Sequence, residues 1–373
     1  MAVTHLKSIQ PRQHQGFSLV EILIASALGL FLLSAIVQVF SQSQATVMIN
    51  QSINETQDRG RTLLHHLGFN LKQRGFQGCL PPIALDVNKV DDIDWIHDSP
   101  VIALAKKIQP VPYSQTALQA FEVSSAGVFS PAPSSQDLID LATGSIGVFP
   151  KPQSDVIRIQ YGDRRSTPLI NTMNTENSAI EIGNNALGLE TGDIIMVGDC
   201  TAADIVTITK VNNIAGIVQL EHGLSDNRQV SLTKPYSTDA RVRRFRQYTY
   251  FVGDSGRQTK RQDVIFSLYR LDYNDTLVEL SEGVDYLQLA YKSSSSLGVQ
   301  NITADSAVFN SMKVIGVDVG LLVVGLKDVL SSDDTKVYRL PGAAVGPATG
   351  IEYVPNKLLK TPFQSYVDLK NRG

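Results

Sequence analysis

From Phe17 to Phe40 the chain is apolar, with Glu21 as its only charge and no proline. At about 1.5 Å per residue this run makes a helix of roughly 36 Å, enough to cross a hydrocarbon core of about 30 Å. Sixteen residues precede it, carrying Lys7 and Arg12 and no acid. Cations on the cytoplasmic side of a single span set its orientation, so the remaining chain is expected to face outward.

An ordinary secretory signal is cut after its apolar run, at an Ala-x-Ala-like step. Here Ser41-Gln42-Ser43-Gln44-Ala45 follows the run and offers a poor site. The unusual residues stand before it. Gly16 is small enough to fit a peptidase at the membrane surface. Glu21 lies four residues after Phe17, one helical turn on and on the same face. A cut between Gly16 and Phe17 would give Glu21 a positive partner in the new Phe17 amine. A plain anchor with one chance acid is the alternative, but a carboxylate at this depth costs about 2.5–3.5 kcal/mol or more.

Gly16-Phe17-Ser18-Leu19-Val20-Glu21, between a basic leader and an apolar helix, resembles the class III signal of type IV prepilins. Further segments resemble the PilW family of minor pilins. They are Asp58-Arg59-Gly60-Arg61 with Leu63 and Leu64, and Gln73-Arg74-Gly75-Phe76-Gln77-Gly78-Cys79. Gly192-Asp193 to Asp199-Cys200, Ser267-Leu268-Tyr269-Arg270, Glu282-Gly283-Val284 and Asp368-Leu369-Lys370-Asn371-Arg372 complete the set. The likeness touches both ends and the middle and is weakest between Pro81 and Pro152.

The resemblance implies an α+β, type IV pilin-like fold in three parts. Residues 1–16 are a leader peptide, 17–75 a transmembrane and assembly helix, and 76–373 a periplasmic β-rich head. It implies cleavage at Gly16–Phe17, N-methylation of Phe17, and a role for Glu21 in assembly. The partners it implies are the prepilin peptidase, the inner membrane, and other minor pilins and the major pilin through the helix. It leaves a tip adhesin open as a further partner. The corresponding function is a non-enzymatic minor pilin that primes the type IV pilus and resides near its tip. A J-type pseudopilin of type II secretion shares the same anchor and is the nearest alternative. A pilus component that binds DNA or a surface ligand is a further one.

Totals narrow the classes. About 298 residues follow Gly75, enough for a substantial core in one domain or two. The formal net charge is -3, and removing the leader makes the side-chain sum -5, against a generally basic nucleic-acid binder. Two cysteines do not make a disulfide scaffold or a metal knuckle. Cys79 lies just past the expected helix stop and Cys200 just past a strand at Asp193 to Val197. In an exported chain they are expected to be joined, the alternative being two buried free thiols.

The helix is expected to run past Phe40, since no proline occurs between Pro11 and Pro81. Leu63, Leu67 and Leu71 recur at i, i+4 and i+8, with Leu64 widening the stripe. Gly75, after Lys72 and Arg74, reads as the stop, and Gly29, Gly60 and Gly68 as local weak points. Nine of sixteen prolines fall from Pro81 to Pro152, which predicts loop with short elements. Beyond it, strands are expected around Ile157-Ile159-Tyr161, Asp193 to Val197, Ile205 to Thr209, Ile315 to Val323 and Phe363 to Leu369.

Candidate chemistry is sparse, and no catalytic, cofactor-binding or metal-ligating residue is expected. Gly253-Asp254-Ser255-Gly256 echoes a serine-protease nucleophile segment, but Arg257 follows where that family has glycine. None of the six histidines sits in a matching context. The four residues are expected to form the turn between strands at 241–251 and 264–271. Arg241, Arg243, Arg244 and Arg246 form the most basic stretch. On a strand they split between faces, so a charged edge strand explains them better than a nucleic-acid patch. His65 and His66 are adjacent on the helix and do not face one site.

Overall fold

The computed structural model of the chain describes residues 18–80, 101–109, 113–295, 298–306, 309 and 313–369. Two units divide at the Gln51–Ser52 junction inside the first helix.

That helix, α1 (Leu19–Leu71), is 53 residues long. In its first unit every residue from Ser18 to Met48 is exposed, and the helix is long and apolar enough to cross a membrane. In the second unit its buried residues are Ser52, Thr56, Gly60, Leu63, Leu67, Gly68, Asn70 and Leu71. They follow the three- and four-residue spacing of a single helical face.

The rest of the second unit is β-rich. In chain order come β1 (Val101–Ala103), α2 (Tyr113–Thr116), β2 (Leu118–Val123), β3 (Phe129–Ser130), α3 (Gln136–Thr143) and β4 (Val156–Pro168). Then follow β5 (Ile180–Ile182), β6 (Ile194–Gly198), β7 (Ala203–Thr207), β8 (Lys210–Ile214), β9 (Ile217–Glu221), β10 (Arg241–Gln258) and β11 (Val264–Asp272). The last are β12 (Leu277–Glu282), β13 (Val284–Ser295), β14 (Gly298–Ile302), β15 (Val314–Asp328), β16 (Tyr338–Leu340), β17 (Ala343–Val345) and β18 (Leu358–Asp368).

These strands make a nine-stranded sheet in the order β1-β7-β6-β10-β4-β2-β3, with β11 paired to β10 and β12 to β11. A four-stranded sheet runs β14-β13-β15-β18, a three-stranded one β5-β9-β8, and β16-β17 form a ribbon. The largest core brings together Leu63, Leu67 and Leu71 of α1, Leu118, Ile159 and Val252 of the large sheet, and Val317, Val319 and Leu321 of the four-stranded sheet. Each such leucine contributes about 1.5–3 kcal/mol by leaving water, which fixes α1 to the head. The fold is therefore α+β, a long N-terminal helix packed on a β-rich head.

β4, β6, β10, β11, β15 and β18 stand where strands were expected, β13 was not foreseen, and four expectations need correction. The regular helix ends at Leu71, not at 75: Lys72 N–H gives the last four-residue bond, to Gly68 O, and the Gln73 and Arg74 N–H groups tighten to three-residue bonds to Asn70 O and Leu71 O. Residues 72–75 form a turn in which the Gly75 N–H leaves the helix to donate to Gln160 O of β4 at 2.9 Å. Ile205 to Thr209 is shifted: β7 ends at Thr207, because the Ile208 and Thr209 N–H groups turn to Asp193 O and Glu221 O.

Gly253 to Gly256 is not the hairpin turn. It lies within β10 at a bulge between Asp254 and Arg257, and the chain reverses at 259–263, where the Thr259 N–H donates to Asp263 O. Gly253 bridges to Pro150 and has Val148 and the Phe149 carbonyl so close that a Cβ would strike them, which holds this segment extended. Nor is the arginine-rich stretch a sheet edge. β10 is an interior strand, paired with β4 from Arg241 to Tyr250, and on its other side with β6 over Arg241–Arg244 and with β11 from Tyr248 on.

Candidate assembly helix and disulfide-closed neck

Gly16 and Phe17 lie outside the described residues, as does His97. Glu21 is in the first turn of α1. The Glu21 and Ile22 N–H groups donate to Ser18 O at 3.0 and 3.2 Å, so Ser18 stands at the helix start. An acid there meets the positive end of the helix dipole. Ser18-Leu19-Val20-Glu21 also has the Ser-x-x-Glu spacing of a capping box, a second use for Glu21 that its distance from Phe17 did not bring out.

Where α1 gives way to the head, residues 73–79 form a neck bound to the large sheet. Gly75 donates to Gln160 O, and Gly162 N–H donates back to Phe76 O at 2.7 Å. The guanidinium groups of Arg243 and Arg164 lie 5.3 and 5.9 Å from the centre of the Phe76 ring. Arg164 Nε donates to Gln73 Oε1 at 2.9 Å. Arg74 reaches Val314 O at 3.4 Å, and burial pushes its guanidinium down to about 10.

Cys79 and Cys200 are joined, with their Cα atoms 4.9 Å apart. Cys200 sits in the tight turn between β6 and β7, which Asp199 organises. Asp199 Oδ1 accepts the Thr201 N–H at 2.7 Å, the Thr201 hydroxyl at 2.8 Å and the Ala202 N–H at 3.0 Å, and Oδ2 pairs with Lys234. Burial alone would raise this carboxyl. Lys234, Thr201 and Ala202 outweigh it and hold it down to about 2. The disulfide thus ties the neck to a hairpin turn that is itself rigid.

Of the four arginines that open β10, Arg241 is exposed, and Arg243, Arg244 and Arg246 are engaged by the head. Arg243 donates to Asp163 O and Arg164 O at 3.2 and 2.9 Å. Arg244 pairs with Asp193 at 2.9 Å and donates to Leu187 O, and Arg246 pairs with Asp163 at 3.5 Å. Sequence reading took them as a surface run. What it lacked was the register shift between Arg243 and Phe245 that places Asp163, Arg164 and Arg165 of β4 against Arg244. His66 stacks edge-on against Tyr250 at 6.2 Å, and burial, then Arg270 and His65, lower its imidazole. Ser255 Oγ donates to Ile265 O at 2.5 Å. Among the described residues no three His, Cys, Asp or Glu side chains are arranged to hold a metal ion.

The prokaryotic N-terminal methylation motif matches residues 11–37. No curated protein matches the chain. The motif covers Gly16, Phe17 and Glu21 and the first part of α1, and it supports a membrane-anchored component of pilin or pseudopilin type.

Proposed function

We propose that the chain is a PilW-like minor pilin of the type IV pilus, non-enzymatic, which helps prime pilus assembly and resides at or near the tip. The observation that carries this reading is the pairing of a methylation motif at 11–37 with a helix whose far half is built into a large head. A head of about 298 residues has a radius of gyration near 19 Å. Repeated at every subunit of a tightly packed filament, that bulk would crowd its neighbours; at an end it has room.

The partners on this reading are the prepilin peptidase, the inner membrane, the major pilin and other minor pilins that meet the exposed part of α1. A tip adhesin would contact the head. Nucleic acid is not among them, a view supported by the internal engagement of Arg243, Arg244 and Arg246. An enzyme is not proposed, since Ser255 spends its hydroxyl proton on the Ile265 carbonyl.

Deleting the gene and counting surface pili tests the reading. Loss of pili, restored by the intact chain, is expected. Normal piliation with a defect in protein secretion would instead assign the chain to a type II secretion machine.

A further inference from the structure

Lys360 lies in β18 with its side chain wholly removed from water, and the Asp334 side chain beside it is 2% exposed. Lys360 Nζ donates to Asn356 Oδ1 at 2.6 Å and stands 3.7 Å from Asp334 Oδ2. The Tyr338 hydroxyl donates to that same Oδ2 at 2.8 Å, and the Lys336 N–H donates to Oδ1 at 3.2 Å. The Asp334 N–H donates to Asn356 O at 2.7 Å, which locks the two segments together. The Tyr353 ring covers the amine at 4.5 Å. A buried amine, a half-buried carboxamide and a buried carboxylate therefore meet beside two tyrosines.

An ammonium so placed is costly, because a buried charge needs full compensation. Burial lowers the Lys360 amine from its ordinary range, against the opposing pull of Asp285, Asp334 and Asp263. Lys151 faces the same region, pairing with Asp285 at 3.6 Å and adding its own positive charge. A desolvated lysine is a nucleophile once neutral. The carboxamide carbon is one C=O bond beyond the oxygen that Nζ touches. That oxygen also accepts the Leu358 N–H at 3.3 Å, which draws electron density from the carbon.

We propose that Lys360 and Asn356 are the two halves of an intramolecular isopeptide bond whose formation Asp334 assists. The neutral Nζ attacks Asn356 Cγ and gives one proton to the Asp334 carboxylate. The Cγ–Nδ2 bond then breaks, and Asp334 returns that proton to the departing nitrogen, which leaves as ammonia. One C–N bond forms, one breaks, nothing is oxidised or reduced, and Asp334 ends as it began. The ring closes at the start of β18, the strand on which Gly60 and Gly68 of α1 lie.

Mass spectrometry of the full oxidised chain in detergent tests this. The expected intact mass is about 17 Da, one ammonia, below that calculated for the same chain with its disulfide already formed. After trypsin, cleavage at Lys357 should leave peptide 340–357 joined to 358–370, because a modified Lys360 is not cut. Asp334→Asn, which keeps the side-chain shape, should return unlinked peptides and cutting at Lys360. Wild-type protein cut at Lys360 into unlinked peptides would overturn the proposal whatever the variant does. So would a loss of about 18 Da, one water, with Lys360 joined to Asp334. Full linkage in Asp334→Asn would remove the role given to Asp334.

Discussion

Gly60 of α1 lies directly beneath the ring of Phe363 in β18: a Cβ at Gly60 would come within 2.4 Å of that ring. Eight residues on, a Cβ at Gly68 would rest 3.5 Å from Val367 Cγ2, an ordinary contact. The two glycines look alike in the sequence and differ in what faces them.

Gly60→Ala should therefore lower stability by about 1–3 kcal/mol through overpacking, less up to about 1 kcal/mol from better helix propensity. Gly68→Ala should be neutral or stabilising. Thermal unfolding of the detergent-solubilised chain checks both. Trimming the ring with Phe363→Leu should recover much of the Gly60→Ala loss. Equal effects of the two alanines would mean that α1 does not lie as closely on β18 as described.

Cys79→Ser/Cys200→Ser should weaken the head by up to about 4.7 kcal/mol in the chain-entropy account of loop closure. Because the Asp199 turn stays intact without the bond, the loss should appear first at the neck. Hydrogen exchange of peptides spanning 73–79 should rise more than that of β10. Non-reducing peptide maps of wild-type protein should show the two cysteines joined.

Asp155 is buried, and burial raises its carboxyl well above the usual range despite the bond from the Leu289 N–H; Glu122 and Asp305 push the same way. The folded state thus holds this proton more tightly than the unfolded chain. Its stabilising contribution is whole below the ordinary carboxyl value near 3.8 and is lost as pH rises from there through the raised folded value. Asp155→Asn keeps the acceptor for Leu289 and should flatten that part of the stability-versus-pH curve, raising stability at neutral pH. An unchanged slope in urea unfolding across that range would contradict it.

The elements that bury one clean face were legible beforehand. Leu63, Leu67 and Leu71 marked the packed half of α1, and alternation from Ile315 to Val323 marked β15, although that strand buries both faces from Val319 to Gly325. The Cys79–Cys200 pairing followed from where a helix stop and a strand end fell. What could not be read depends on partners distant in sequence. The stop moved to Leu71 because the Gln73 and Arg74 N–H groups tighten to three-residue bonds before Gln160 captures the Gly75 N–H. Gly253 to Gly256 looked like a turn because glycine and aspartate favour turns, but the bulge and the bridge to Pro150 keep it extended. Arg244 and Arg246 looked free because their partners Asp193 and Asp163 are remote in sequence.

Glu21 should be needed for polymerisation and not for folding of the head. Between subunits, its carboxylate is proposed to meet the Phe17 amine of a neighbour and set the axial register. Glu21→Ala should leave the chain inserted, cleaved and disulfide-bonded, yet give fewer surface pili and little protein in the sheared fraction. Glu21→Gln preserves the capping-box pattern with Ser18 but removes the charge. It should fail as Glu21→Ala does, whereas normal piliation would mean that Glu21 serves only to start the helix. Glu21→Lys should be the most severe, since it opposes two positive charges.

Mass spectrometry of the N-terminal peptide from sheared surface pili is the most direct test that the chain is processed and assembled as a pilin. The expected peptide begins at Phe17 and carries N-methylation, with residues 1–16 gone. An N-terminus near Ala45, past the apolar run, would show that an ordinary signal peptidase removes the helix and would contradict the assembly role given to α1.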